Sequence, residues 1–515
     1  MRFKNNGLVQ KIKHLMYAVP ISLALLIFSY GSITSVMAAG PEAHLKGEFG
    51  PLHAWPIVPV HMTLMPDGRV FAVGPQTKNN LKYAVWNPAM GTSANAFETL
   101  PNTTSTNIFC AGQAMIPETG QALIIGGDTT YAMPGSTYGY HTADVNVYDP
   151  TTDTLITQTS MAYSRWYATA VTLPNGEHLA LGGRDVRPAA GIAAEYAPIP
   201  EVRAVNGSWR SLSAASSDAA YGAIGGNSWY YPRAWVNPQG SVFIVNPIGL
   251  MYKLDTAGAG TLTLYKKRIL AGKNFLPSAM FSPGRILFVR KDRTAIIVDI
   301  NGTGEPTSSS GGSLSLDRQY GNATVLADGR VWVNGGSSTG NDLVGAALDS
   351  ELWNPVTNTW TTTASASTVR LYHSAALLLA DGTVLTGGGG VPGPLRQMNG
   401  EVYYPPYLFK KDGTGEFAPR PEIVDAPSVM IGWNQVFPIE ATENIARVTL
   451  VRAGAVTHAF NNEQRFFELS PISQTGNSVT VRSPASVNDA PPGFYLLFVW
   501  NAAGTPSLAK VVHLG

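Results

Sequence analysis

The sequence predicts an all-β chain: a closed ring of seven four-stranded blades followed by a small β-sandwich. Three observations carry that expectation. A glycine-containing tight turn between apolar strands recurs seven times. No helical pattern of useful length interrupts the repeats. About a hundred residues of short alternating strands follow them. Composition agrees, with 515 residues, 44% of them hydrophobic, 53 Gly and 36 Pro, an excess of turn formers without a G-X-Y period. Length of this order calls for several cores or one large closed β architecture. A net charge of +1 excludes an extended nucleic-acid footprint or a polybasic membrane patch. A single Cys excludes an intrachain disulfide framework and a multi-cysteine zinc site.

The first residues differ from the rest. Arg2, Lys4, Lys11 and Lys13 precede an apolar run from Leu15 to Tyr30, and small residues follow at Val36-Met37-Ala38-Ala39. Basic, apolar and small-residue segments in that order predict a signal peptide over 1–39. The other reading is an uncleaved anchor, but the run is short for a span of ~20 residues and contains Pro20. No second spanning segment is present, so the mature chain is expected to be exported, without stable membrane insertion, as a monomer. Cys110 is then an odd thiol in an oxidising compartment, and that needs a cause.

The repeated turns centre on Gly68, Gly120, Gly176, Gly240, Gly284, Gly329 and Gly382, spaced 44 to 64 residues apart. Asp-Gly and Asn-Gly steps between β-rich runs are hairpin signals, because such turns need a positive φ. Gly pairs end four of the second strands, at Gly126-Gly127, Gly182-Gly183, Gly335-Gly336 and Gly387-Gly388. Aromatic-x-Pro steps follow, as at Trp86-Asn87-Pro88, Tyr148-Asp149-Pro150 and Trp353-Asn354-Pro355. This is the period of a four-stranded propeller blade of the kelch type, predicted over 40–415. The stretch Gly304 to Ser313 reads as a loop inside the array. Beyond Pro405-Pro406-Tyr407-Leu408-Phe409, the strands at Ala446–Val451 and Phe494–Val499 predict an immunoglobulin-like sandwich over 416–515.

The distance from each turn glycine back to the start of the preceding strand is informative. Cys110 lies ten residues before Gly120, Tyr167 nine before Gly176, and Tyr372 ten before Gly382, with His373 adjacent. Equivalent turns would bring these side chains to one height at one mouth of the ring, a strand's length from the turns. Cys, Tyr and His converging there offer a donor set suited to copper. Taken singly, each reads more simply as packing.

At these residues the chain resembles the galactose oxidase and glyoxal oxidase family of copper radical oxidases, nearer the glyoxal-oxidase-like branch. Asn107-Ile108-Phe109-Cys110-Ala111-Gly112 is similar to the family's cysteine segment, Arg165-Trp166-Tyr167 to its crosslinked-tyrosine segment, and Arg370-Leu371-Tyr372-His373 to its tyrosine-histidine segment. Val456-Thr457-His458-Ala459-Phe460 resembles the sandwich loop that reaches into the propeller, which spacing alone does not single out. The resemblance implies one copper ion held by Tyr167, Tyr372, His373 and His458. It also implies a Tyr167–Cys110 thioether carrying a radical, and Tyr372 as general base. The implied reaction oxidises a primary alcohol or aldehyde with O2 and releases H2O2. It would also account for a lone Cys.

Two features depart from galactose oxidases. Arg184-Asp185 follows Gly182-Gly183 where they place a Trp over the thioether; Trp166 and Trp229 are candidates for that cover, with ordinary packing as the alternative. The second is that no sugar-binding domain is expected before Gly50. Tyr230, Tyr231, Phe275 and Tyr320 fall at the same offset and would ring the site or simply fill the funnel. His61 lies only seven before Gly68 and departs from the set; His44, His53, His141, His178 and His513 read as surface or structural. A competing reading from another class is a non-catalytic kelch-type propeller, a cell-surface glycan-binding or adhesion protein. A small alcohol, aldehyde or glycan is the expected substrate.

Overall fold

In the computed structural model the described residues are 39–75, 81–129, 141–186, 193–269, 275–427 and 431–515. The expected signal segment lies outside them, apart from Ala39. Among the described residues no helix is long and apolar enough to cross a membrane.

Seven antiparallel sheets follow one another along the chain. Their innermost strands are His61–Leu64, Gly112–Met115, Thr169–Thr172, Arg233–Val236, Ser278–Ser282, Asn322–Val325 and Ser374–Leu378, defining blades 1 to 7. The seven turn glycines all have positive φ, from 63° to 87°, the conformation their hairpins demand. Apolar cores lie between neighbouring blades. Phe71 and Tyr83 of blade 1, for example, share a buried cluster with Ile124 and Tyr148 of blade 2, and Phe71 stacks on Tyr148 at 4.3 Å. Such interfaces explain why a single blade is not stable: each of its faces needs a neighbour.

Closure comes from both ends. The outer edge of blade 7 is completed by Glu48–Phe49 and His53–Ala54, which pair with Asn399–Tyr404. Blade 1 gains an extra inner strand, Ala455–Thr457, which belongs to the sandwich and pairs with His61–Thr63. The sandwich itself packs the sheet containing Ile423–Asp425, Val436–Ala441, Ser478–Arg482 and Pro471–Thr475 on a sheet containing Phe466–Leu469, Arg447–Arg452, Gly493–Trp500 and Lys510–Leu514. Ile439, Leu450, Val479, Leu497 and Val499 are among the buried residues between them.

One expectation is corrected. Thr307–Ser313, read as loop, is the outer strand of blade 5, paired with Thr294–Asp299. Its side chains are mostly exposed, so an edge strand held by backbone ladder bonds does not need the β-branched core residues that signal a strand in sequence.

The Gly pairs have a packing reason. A Cβ on Gly126 would collide with the Arg165 carbonyl of blade 3, and one on Gly335 with the Arg370 carbonyl of blade 7. Close approach there lets Gly127 N–H donate to Arg165 O at 2.9 Å, and Gly336 N–H to Arg370 O at 2.7 Å. The strand entrances of blades 3 and 7 are thereby pinned to the preceding blades.

Candidate metal centre

The site is built from residues one or two positions before the innermost strands. Cys110, Tyr167, Tyr231, Tyr320 and His373 occupy these positions in blades 2, 3, 4, 6 and 7, all with left-handed backbone, φ 58°, 67°, 39°, 65° and 68°. Non-glycine residues avoid that region, and clusters of them mark functional sites. Backbone bonds run between blades here: Tyr167 N–H donates to Cys110 O at 2.8 Å, Tyr231 N–H to Tyr167 O at 2.9 Å, and Tyr320 N–H to Phe275 O at 2.8 Å. His373, not Tyr372, is thus the register equivalent of Tyr167. The left-handed residue also answers how neighbours can both face the axis: the Tyr372 and His373 rings stack at 3.8 Å.

The fifth sequence-derived residue, His458, arrives from the sandwich. It directly follows the strand added to blade 1 and is also left-handed, φ 47°. All five residues meet. Cys110 Sγ lies 3.8 Å from His373 Nε2 and 3.7 Å from His458 Nε2. The Tyr167 and Tyr372 hydroxyls are 2.5 Å apart. The His373 and His458 rings are 4.5 Å apart and perpendicular, and Tyr167 stands edge-on to His458 at 5.1 Å. Each imidazole is oriented through its other nitrogen, His373 Nδ1 by the Val391 carbonyl and His458 Nδ1 by Thr457 Oγ1 at 2.5 Å. That leaves both Nε2 atoms aimed at the cluster, as metal-binding histidines require.

Burial sets the electrostatics. It pushes the His373 imidazole down to about 3, and the His458 imidazole well below its ordinary value, with His373 and His61 adding to the latter. It raises the Tyr167 phenol well above its usual range, with Cys110 and Tyr372 adding, and raises Tyr372 in the same way. Neutral imidazoles with free lone pairs beside two close phenols form a pocket for a cation, which would favour the phenolates.

The remaining aromatics close around this centre. Tyr231 is fully buried against His458 at 4.7 Å and donates to Ala111 O at 3.2 Å. Tyr230 packs on Tyr167 at 4.6 Å and hydrogen-bonds to Tyr372. Phe275 stacks on Tyr320, which stands edge-on to Tyr372 at 5.1 Å. Trp166 lies 4.0 Å from Tyr167 and Trp229 lies 6.0 Å from it, so both candidates for the missing cover touch the tyrosine. His61, set apart by its offset, is buried beside the cluster, and its Nε2 accepts the Cys110 N–H at 3.0 Å.

Sequence reasoning missed a buried ion pair repeated behind the site. Arg165, Arg318 and Arg370 pair with Glu201, Glu351 and Glu401 at 3.0, 2.8 and 3.2 Å. Each arginine also donates to a carbonyl of its blade's Gly pair, at Gly182, Gly335 and Gly388. The signal was present: each Arg stands seventeen residues before the first Gly of a pair.

Comparison with known proteins agrees with this geometry. Residues 420–514 match the family model described as galactose oxidase-like, early set domain. The chain is 26% identical to a galactose oxidase of Gibberella zeae, over 91% of this chain and 70% of that protein. It is also 26% identical to an aldehyde oxidase, GLOX, of Vitis pseudoreticulata, over 68% of this chain and 72% of the relative. Among solved structures, a fungal alcohol oxidase of the AA5 family in complex with copper superposes with a TM-score of 0.78 at 24% identity, over 91% of this chain and 99% of that one. Taken with the ring of blades, these likenesses show a chain similar over most of its length to galactose oxidases and GLOX aldehyde oxidases, ending in a galactose oxidase-like early set domain.

Proposed function

We propose that the protein is an exported mononuclear copper oxidase that oxidises a primary alcohol or an aldehyde with dioxygen and releases hydrogen peroxide. The observation that carries this reading is the pair of phenols 2.5 Å apart beside two imidazole Nε2 atoms in one buried pocket. The donors fit copper: two neutral nitrogens and two phenolic oxygens are borderline and hard ligands of the kind Cu(II) accepts. Tyr167, Tyr372, His373 and His458 would hold the ion, which when bound supplies a one-electron acceptor and a Lewis-acidic position for the substrate oxygen.

The chain's residues do the rest. Tyr372, partly exposed, receives the substrate hydroxyl proton at its phenolic oxygen. Tyr167, joined to Cys110 and oxidised by one electron, receives a hydrogen atom from the substrate carbon at its own. The aromatic ring around the pair limits water. Two electrons and two protons leave the substrate and pass to O2 as H2O2. Thioether formation follows the same balance: the Cys110 S–H and one Tyr167 ring C–H hydrogen are lost, a C–S bond forms, and O2 takes both hydrogens.

A second reading comes from the thiol itself. Cys110 Sγ, His373 Nε2 and His458 Nε2 lie within 4.8 Å of one another, a set that would bind copper through a thiolate without a radical. Peptide mass spectrometry of copper-loaded, air-exposed protein separates the two. A Cys110–Tyr167 peptide two hydrogens lighter than its parts, with peroxide release from alcohols or aldehydes, is the expected result. A Cys110 that still alkylates after loading overturns the radical reading. If no copper binds at all, the propeller is a binding scaffold. Export rests on the basic, apolar and small-residue order of 1–39, and is tested by the N-terminal sequence of the protein recovered outside the cytoplasm.

A further inference from the structure

Arg184 directly follows the Gly182-Gly183 pair of blade 3 and is held between two indoles. Its guanidinium carbon is 4.7 Å from the Trp166 ring centroid and 4.9 Å from that of Trp229. Those are the two tryptophans that touch Tyr167. The arginine is fixed from several sides. Its backbone pairs with Trp166 in both directions at 2.9 Å. Its Nε lies 3.5 Å from His141 Nε2, and His141 Nδ1 lies 3.0 Å from the Asp128 carboxylate. His141 in turn stacks on Trp166 at 4.7 Å with planes 8° apart.

This arrangement matters because indoles are oxidised about as easily as phenols. Tyr167, Trp229 and Tyr196 form a file with ring spacings of 6.0 and 5.5 Å, leading from the buried tyrosine to a partly exposed one. An electron could move along that file towards an oxidised Tyr167. A cation over a ring face stabilises the neutral ring and opposes positive charge developing on it. Among the described residues Trp229 Nε1 is buried with no hydrogen-bond partner, so an oxidised Trp229 would find no acceptor for its proton among them and would keep its charge beside the arginine.

We propose that Arg184 confines the oxidising equivalent to Tyr167 by disfavouring one-electron oxidation of Trp166 and Trp229. The inference rests on the radical reading above. The step opposed is transfer of one electron from an indole to the Tyr167 phenoxyl, which becomes phenolate while the indole becomes a cation radical. That radical then adds water, releases a proton, and passes one further electron and proton to dioxygen as hydroperoxyl, leaving hydroxytryptophan. Arg184 is a positioning residue: it touches the indoles, not the reacting atoms.

The test compares copper-loaded wild-type protein with Arg184→Met, each oxidised with ferricyanide. Decay of the radical is followed by its optical absorption and electron paramagnetic resonance, and the Trp166 and Trp229 peptides are examined by mass spectrometry. We expect the variant to form the thioether, to lose its radical roughly tenfold faster, and to gain oxygen on one or both indoles. Arg184→Lys should restore the slow decay, and Trp229→Phe in the Arg184→Met background should slow it again. Wild-type decay with unmodified indoles in Arg184→Met overturns this inference alone. Absence of a thioether and radical in wild type overturns it together with the radical reading. If Arg184→Met does not fold, Arg184→Gln gives the same comparison with a neutral side chain of greater polarity.

Discussion

Cys110, Tyr167, Tyr231, Tyr320 and His373 each hold a backbone conformation that costs a non-glycine residue about 1–3 kcal/mol. Hydrogen bonds between adjacent blades hold Cys110, Tyr167, Tyr231 and Tyr320, and all but Tyr320 are buried, so the strain is the means of turning side chains towards the axis. Position was legible in sequence, because the offset from a turn glycine counts residues along one strand. The left-handed turn was not, since it is imposed by the neighbouring blade. His458 was legible only through family resemblance, as its partners lie hundreds of residues away. For Cys110 we expect Cys110→Ser to bind copper with little change yet to lose about a thousandfold or more in turnover, measured by metal content and peroxide release. Retained turnover would remove the thioether from the mechanism. His178 offers a separate test, remote from the donor set. Burial lowers it to about 4, and its Nε2 lies 3.1 Å from the Met115 carbonyl. Above its ordinary pKa of about 6.5, both folded and unfolded states are neutral. Between there and about 4, only the unfolded state takes up the proton, so stability falls as pH falls. Urea unfolding of metal-free protein should therefore lose about 2 kcal/mol more between pH 7 and 5 in wild type than in His178→Gln.

Blade elements repeat a device that composition conceals. In blades 3, 6 and 7 the buried Arg–Glu pair ties the strand entrance to the third strand, and Glu201, Glu351 and Glu401 also cap the backbone N–H of Ala162, Ser315 and Ser367. Blade 2 uses a shorter version, with Thr106 Oγ1 donating to Asp144 at 2.7 Å. A charged residue in a strand-rich sequence reads as surface, and only the fixed spacing to the Gly pairs marks these as interior. Arg318→Met leaves Glu351 buried without its cation and should cost about 3–5 kcal/mol in chemical denaturation. Adding Glu351→Met should recover part of that loss, because an unpaired buried charge costs more than a missing pair. Additive losses in the double variant would show the two residues to be uncoupled.

For the molecule as a whole, the sequence announced two architectures but not how they interlock. The sandwich segment 454–465 runs into the ring and touches every blade. It pairs with blade 1, and Gln113 Nε2 of blade 2 donates to Val456 O at 2.8 Å. Glu463 accepts from Thr172 of blade 3, and Arg233 of blade 4 donates to Ala459 O. Phe460 bridges to Ser278 of blade 5, Gln464 pairs with Val325 of blade 6, and Gly454 lies against Leu377 of blade 7. Glu463 is fully buried with Arg452 at 2.9 Å, so Glu463→Ala should cost about 3–5 kcal/mol and lower copper occupancy with it. Calorimetry and metal analysis of the same preparation check both; full occupancy in a destabilised protein would separate the hairpin's fit from His458. The axial hairpin also imposes an order in time. During synthesis the chain presents Cys110 and Tyr167 long before His458 exists, and a nascent or interrupted polypeptide lacks one nitrogen of the centre however well its blades have folded. If these residues hold the metal as proposed, loading would wait until the last domain has emerged and entered the ring, and unfinished chains would be spared oxidative chemistry they could not contain.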